Sequence, residues 1–317
     1  MTNHSLTEDQ ALARASEQVT ATLAGKRAKG VVQGFFDEPT NTATFVVHDP
    51  RTRATVVIDS VLDFDPAAGA ISYEAADKVI AYIRENDLSV EWILETHVHA
   101  DHLSAAPYLQ QQLGGRLGIG RGILQVQNEF GKLFNAGTDF ARTGEEFDRL
   151  FDDGDSFMIG DVEATVLHVP GHTSADLAYV IGDAAFVGDT LFMPDYGTAR
   201  ADFPGGDARQ LFRSIRRLLA LPDDTRLLLC HDYKAPGRDS FVYETTVAAQ
   251  RAGNVHVRDG TAEDDFVSMR TARDRTLKAP RLIMPSIQVN MRGGRLPEPE
   301  ENGTRYLKIP LSPTSRS

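Results

Sequence analysis

The chain has 317 residues, 41% of them hydrophobic and 25% charged, a globular balance long enough for one large core with appendages. A net charge of −12 with no basic stripe excludes a nucleic-acid binder, which needs clustered Lys and Arg to neutralise phosphates. No apolar run reaches transmembrane length, the N-terminus lacks the order of a secretory signal, and a single cysteine, Cys230, excludes an intrachain disulfide; these features predict a cytoplasmic protein.

Residues 1–30 are polar, with Leu12, Ala15, Val19 and Leu23 at helical spacing, which predicts a helical extension packed on the body or used in an oligomer contact. From Val31, β-branched and aromatic runs at 31–32, 44–47 and 55–58 alternate with turn residues and predict an antiparallel meander. Asp59 closes the last run, where it either orients a histidine or caps a turn. Ala75, Val79, Tyr82 and Ile83 mark a helix over 74–86, and a buried strand follows at 90–94. Beyond it come His97, His99, Asp101 and His102. An extended backbone would place His97 and His99 on one face, with Asp101 and His102 in the turn before a helix over 103–113 that Gly114-Gly115 stops. Three of the nine histidines lie within six positions, a density that points to metal ligation over a solvated turn.

Residues 117–151, with Phe130, Phe134, Phe140 and Phe147 scattered among polar residues, read as an insertion or lid over the site, or as packing. A strand at 162–168 precedes a hairpin of 177–181 and 184–187 across Gly182-Asp183. His172 lies in the loop between them and Asp189 at the hairpin's end. Asp207 predicts the N-cap of a helix with Leu211, Ile215 and Leu218 inward. A buried strand at 227–229 then delivers Cys230 and His231. Cys230 reads as a small core residue, His168 as packed, and His4, His48 and His256 as surface residues. A helix is predicted over 262–276, where Phe266, Val267 and Met269 supply apolar contacts, and an extended arm over 297–317. The parsing is a helical extension at 1–30, a domain at 31–250, and a C-terminal extension at 251–317 packed on the same domain. Runs of strands in two halves, interrupted by helices, predict an α+β fold of two face-to-face sheets with helices outside.

Together, His97, His99, Asp101, His102, His172, Asp189 and His231 resemble the metallo-β-lactamase superfamily, whose H-x-H-x-D-H motif is followed by a distant His, then Asp, then His. The resemblance implies an αββα sandwich of mixed sheets with metals at the sheet edges. Hydrolases, nucleases and redox enzymes share that fold, so it does not fix the reaction. Phe35-Phe36-Asp37 and the segments 186–192, 197–203, 231–233 and 289–292 resemble the persulfide dioxygenases of the ethylmalonic encephalopathy protein type, over about residues 31 to 294. Asp195-Tyr196-Gly197 before Arg200 is similar to the bacterial branch related to sulfide-responsive β-lactamase-like hydrolases.

That family implies oxidation of glutathione persulfide by O2, giving sulfite and glutathione, at one Fe(II) per chain held by His97, His172 and Asp189. Two imidazoles and one carboxylate leave open positions for reactants. His99, Asp101, His102 and His231 then orient ligands. Arg200 would face a glutathione carboxylate, or form a salt bridge with Asp202. Tyr233 and Lys234 would line the pocket, or pack. The alternative is a glyoxalase-II-like thioester hydrolase with a binuclear Zn or Fe site: His97, His99 and His172 on one ion, Asp101, His102 and His231 on the other, Asp189 between. Asp232-Tyr233 after His231 and Asn290-Met291-Arg292 speak against it. A third reading is a non-catalytic sulfide-sensing partner. The implied partners are a small thiol persulfide and O2, with no nucleic acid and no membrane, in a family that often forms homodimers or homotetramers.

Overall fold

The computed structural model describes residues 6–137 and 140–311; the expectation for His4 lies outside them. Thr7 opens α1 (Glu8–Leu23) with a reciprocal capping box to Gln10. Ala11, Ala15, Gln18, Val19 and Thr22 form its buried stripe. Leu23, expected on that stripe, faces solvent because Thr22 takes the inward position in the last turn. Strands β1 (Val31–Asp37), β2 (Thr42–His48) and β3 (Ala54–Ile58) form the predicted antiparallel meander. The chain continues through β4 (Val61–Asp65), β5 (Ala70–Ser72), α2 (Glu74–Glu85), β6 (Ser89–Leu94), β7 (Leu103–Ser104) and α3 (Ala106–Leu113). Helix α3 carries Pro107 in its first turn and ends at Gly114, whose φ is +74°.

Next come β8 (Arg116–Gly120), α4 (Ile123–Leu133) and β9 (Arg149–Phe151), which complete a six-stranded sheet in the order β1-β2-β3-β6-β8-β9, parallel from β3 onward. Within 117–151, the strands at both ends and α4 between them are therefore part of the sheet and its helical cover, not an insertion. The strand was hidden by its glycines. A Cβ on Gly118 would lie 2.6 Å from Phe151, whose ring occupies the space that a strand side chain normally fills.

The second half contains β10 (Ser156–Ile159), β11 (Val162–His168), β12 (Leu177–Ile181), β13 (Ala184–Phe186), α5 (Ala208–Leu218), β14 (Arg226–Leu228), β15 (Glu244–Thr246), α6 (Val247–Gly253), α7 (Glu263–Asp274) and α8 (Ile283–Asn290). Its strands form a second six-stranded sheet in sequence order, antiparallel except for β13 beside β14. A short sheet, β5-β4-β7, flanks the first.

Strand alternation sorts the core into layers. Phe45, Val56, Ile58 and Trp92 pack between the sheets against Phe157, Val166, Tyr179 and Phe186. The opposite faces pack under helices: Val46, Val57 and Ile93 with Val79, Ile83 and Leu109, and Leu167, Val180 and Leu227 with Ala11, Leu211 and Ile215. The fold is an αββα sandwich. Asp207 caps α5 as predicted, accepting from Gln210 N at 2.8 Å. Residues 297–311 carry no helix or strand and are held by Lys308, whose N donates to Gln288 and whose Nζ donates to Asn135 O. Among the described residues no helix is long and apolar enough to cross a membrane.

Candidate metal centre

The strand before the histidine cluster stops at Leu94, and residues 95–102 bend instead of extending, so strand alternation does not bring His97 and His99 together. The loop does, with ring centroids 4.1 Å apart. Asp59 anchors it. One carboxylate oxygen accepts from Thr96 N at 2.7 Å and the other from Thr96 Oγ1 at 2.9 Å, while Oδ1 lies 3.0 Å from His99 Nε2. Of the two roles open to Asp59, it therefore takes the orientation of a histidine. Because Thr96 Oγ1 spends its proton on Asp59, it accepts from His97 Nδ1 at 3.0 Å.

Asn290 fixes the far end of the loop. Its Nδ2 donates to His99 O at 2.9 Å and His102 O at 2.8 Å, and its Oδ1 accepts from Ser104 N at 2.8 Å.

Asp189 arrives from β13 through Gly188, at φ +51°, where a Cβ would stand 2.6 Å from Thr96 Oγ1. Only glycine lets these loops approach so closely. Asp189 Oδ2 lies 3.5 Å from His172 Nε2 and 4.0 Å from His97 Nε2; its Oδ1 lies 3.2 Å from His231 Nε2. His172, His231 and His102 direct their Nδ1 to Arg200 O at 2.8 Å, Asn41 O at 3.0 Å and Leu103 O at 3.0 Å. With those nitrogens committed as donors, the opposite ring nitrogens present lone pairs.

His97 Nε2, His99 Nδ1, His102 Nε2, His231 Nε2 and Asp189 Oδ1 are buried without a hydrogen-bond partner. Each such orphan costs about 1–3 kcal/mol. A cation satisfies several at once, and an imidazole–carboxylate donor set fits a first-row divalent metal. The ligand atoms of His97, His172 and Asp189 lie mutually within 4.8 Å, as do those of His99, Asp101 and His102. Asp101, His102 and His231 do not form such a set. His231 Nε2 is 3.4 Å from Asp101, but the His231 and His102 rings stand 6.5 Å apart.

Burial holds His97 well below the usual imidazole range, and the neighbouring imidazoles push it the same way. Burial and then His99 push His102 down to about 4. At His99 and His231 burial acts in the same sense, but the carboxylates of Asp59 and of Asp189 with Asp101 outweigh it and raise both well above the usual value. Metal binding there would therefore release protons. Cys230, buried with its thiol pushed up by burial, belongs with His99 and His231 beneath the site and fits the core role expected of it.

A cavity of about 320 Å³ opens over His172 and Asp189, walled by Phe192, Tyr196, Phe203 and Tyr233. Tyr233 packs between Tyr196 and His231, with centroids at 5.2 and 5.7 Å. Arg200 lines the cavity, but its guanidinium is held bidentately by Asp202 at 2.6 and 2.8 Å and donates to Lys278 O at 2.7 Å. The salt-bridge alternative thus describes that side chain, and its carbonyl does the positioning, on His172. Lys234 is not in the cavity wall; its ammonium sits 3.9 Å over the Phe241 ring. His48 is buried and His256 half-buried, against the surface placement expected for both. His256 is drawn in because its Nδ1 accepts from Thr198 N at 3.1 Å. His168 is packed as expected, bonded to Ser174 O.

Thr96 and the clamp by Asn290 were not legible beforehand, since both act through contacts that spacing does not encode. A segment match at 289–292 was the only signal for Asn290.

Residues 37–231 match the family model described as the metallo-beta-lactamase superfamily. The chain is 56% identical over 290 residues to a probable metallo-hydrolase of Burkholderia pseudomallei (strain 1710b), covering 88% of this chain and 98% of that protein. It is 46% identical over 286 residues to glyoxylase B2 of Dictyostelium discoideum, covering 90% and 98%. Similarity to the human mitochondrial persulfide dioxygenase ETHE1 is 27% over 227 residues, covering 71% and 77%. The crystal structure of ETHE1 from Myxococcus xanthus matches with a TM-score of 0.66 at 28% identity, over 84% of this chain and 100% of that one.

Proposed function

The chain belongs to the metallo-β-lactamase superfamily, and from that premise we propose that it is a non-haem iron persulfide dioxygenase, converting glutathione persulfide, O2 and water to glutathione and sulfite. The observation that supports this most is the convergence of His97, His172 and Asp189 on one point, with His172 and Asp189 opening onto the cavity. Two imidazoles and a carboxylate suit one Fe(II), which when bound supplies the O2 chemistry. The residues around it position that triad. Thr96 and Arg200 O fix the rings of His97 and His172, and Asp189 turns Oδ2 toward both. Aromatic walls limit the access of water to the persulfide sulfur.

The hydrolase reading keeps one specific support: Asp189 reaches toward both halves of the site, as a bridging carboxylate would. Relatives named metallo-hydrolase and glyoxylase agree with it. The test is metal analysis of anaerobically iron-loaded protein, combined with oxygen-electrode assays on glutathione persulfide and with thioester hydrolysis. We expect about one iron per chain, O2 uptake and sulfite release. Two metals per chain with thioester cleavage and no O2 uptake would assign the protein to the hydrolases; turnover of neither substrate would favour a sensing partner.

A further inference from the structure

The outer side of the cavity is cationic. Arg273, Lys278 and Arg281 line it, all three are exposed, and none makes an ion pair or a side-chain hydrogen bond among the described residues. The other two arginines of the wall are already neutralised, Arg200 by Asp202 and Arg270 by Asp274. A chain of net charge −12 thus gathers three uncompensated positive charges at the entrance to its metal centre.

Their placement is set by the fold. Asp274 accepts from Ala201 N at 2.9 Å, Arg270 donates to Thr198 O at 3.1 Å, and Arg200 donates to Lys278 O at 2.7 Å. These bonds strap the segment carrying the cations to the loop that orients His172. Leu277 and Pro280, between them in sequence, face the same cavity. The site therefore has a metal-ligand floor, an apolar middle and a cationic end. Its volume of about 320 Å³ falls in the range for a small-molecule site, about 300–1,000 Å³.

We propose that Arg273, Lys278 and Arg281 form the anion-recognition end of the substrate site and select thiols whose carboxylates lie remote from the reacting sulfur, with glutathione, which carries two, as the matching class. Charge-assisted hydrogen bonds to carboxylates and steering of anions toward a charged cleft are the interactions involved. The inference rests on the persulfide reading for its reaction, although the binding it describes can be measured without turnover.

The test uses the iron-loaded full chain with R273Q, K278Q and R281Q, singly and combined, and R281K as the charge-preserving control. For glutathione persulfide the triple variant should raise KM about tenfold with kcat within about twofold, and lose most of the wild-type rise in KM with added salt. The ratio of kcat/KM for glutathione persulfide over 2-mercaptoethanol persulfide should fall about tenfold. R281K should retain most of the R281 effect. Calorimetric titration with glutathione, which needs no reaction, should show about tenfold weaker binding to the triple variant than to wild type. Weakened glutathione binding together with absent O2 uptake in wild type would sink the dioxygenase reading and keep this one. Equal KM and equal glutathione binding in wild type and triple variant, or no glutathione binding to wild type, would overturn it.

Discussion

Asn290 acts on backbone atoms 188 and 191 residues before it in the chain. Two donors and one acceptor on a short side chain match two carbonyls and one N–H of the metal loop, a set that aspartate cannot satisfy. Asn290→Asp places a carboxylate against His99 O and His102 O, and it should weaken metal binding about 10–100-fold, read by competition with a chelating dye. Affinity equal to wild type would show that the loop holds itself. Gly188→Ala confronts Thr96 at 2.6 Å from a left-handed backbone and should cost about 1–3 kcal/mol in denaturant unfolding, with metal lost as His97 moves. His172→Ala should lose metal and activity together while the two sheets persist; turnover without bound metal would contradict the assignment. The candidate ligands were readable because imidazoles and carboxylates at strand ends are chemically conspicuous. Thr96, Gly188 and Asn290 were not, since a hydroxyl, a hydrogen atom and an amide become informative only once distant loops meet.

The loop that carries the Arg200 carbonyl is braced by neighbouring elements. Asn254, at the end of α6, donates to Gly197 O at 3.0 Å, and His256 accepts from Thr198 N. Burial, with Arg270 and Arg273 nearby, pushes His256 down to about 4. The folded state therefore favours the neutral ring that the Thr198 bond requires. The resulting stability is fully present above about pH 6.5, the unfolded value, and is lost as pH falls toward 4. Half-burial and solvent screening limit it to about 1–2 kcal/mol. His256→Gln, which keeps an acceptor but does not titrate, should lose less stability between pH 7 and pH 5 than wild type in urea unfolding; parallel losses would remove His256 from the account. The hairpin β12–β13 and helices α2 and α5 were legible from period and capping alone. Strand β8 was not, because Gly118 yields its space to Phe151 and Gly120 to Ala175 and Leu177. Helix α8 was obscured by Pro285, which reads as a breaker yet sits in the first helical turn, where a missing N–H costs nothing.

On the scale of the molecule, a net charge of −12 averages over the whole surface and conceals the cationic entrance built by α7 and the residues after it. The matched family region ends at residue 231, whereas α7 and α8 lie beyond it and supply the rim and the loop clamp. They also fill the core. Phe266 is buried against Phe212 of α5, and Ile287, Val289 and Met291 are buried with Leu109, Leu117 and Ile123 under the first sheet. Emptying one such position costs about 2–5 kcal/mol, against a total stability of about 5–15 kcal/mol for a domain. Ending the chain after residue 261 removes four of them at once, so that protein should show no cooperative thermal transition and bind no metal. Ending it after residue 296 removes the largely exposed arm, with the packing of Leu307 and three hydrogen bonds of Lys308, and should keep both properties. A shorter chain that still melts cooperatively and takes up metal would make the C-terminal helices a detachable accessory; loss of both in the shorter chain alone makes them part of the sandwich.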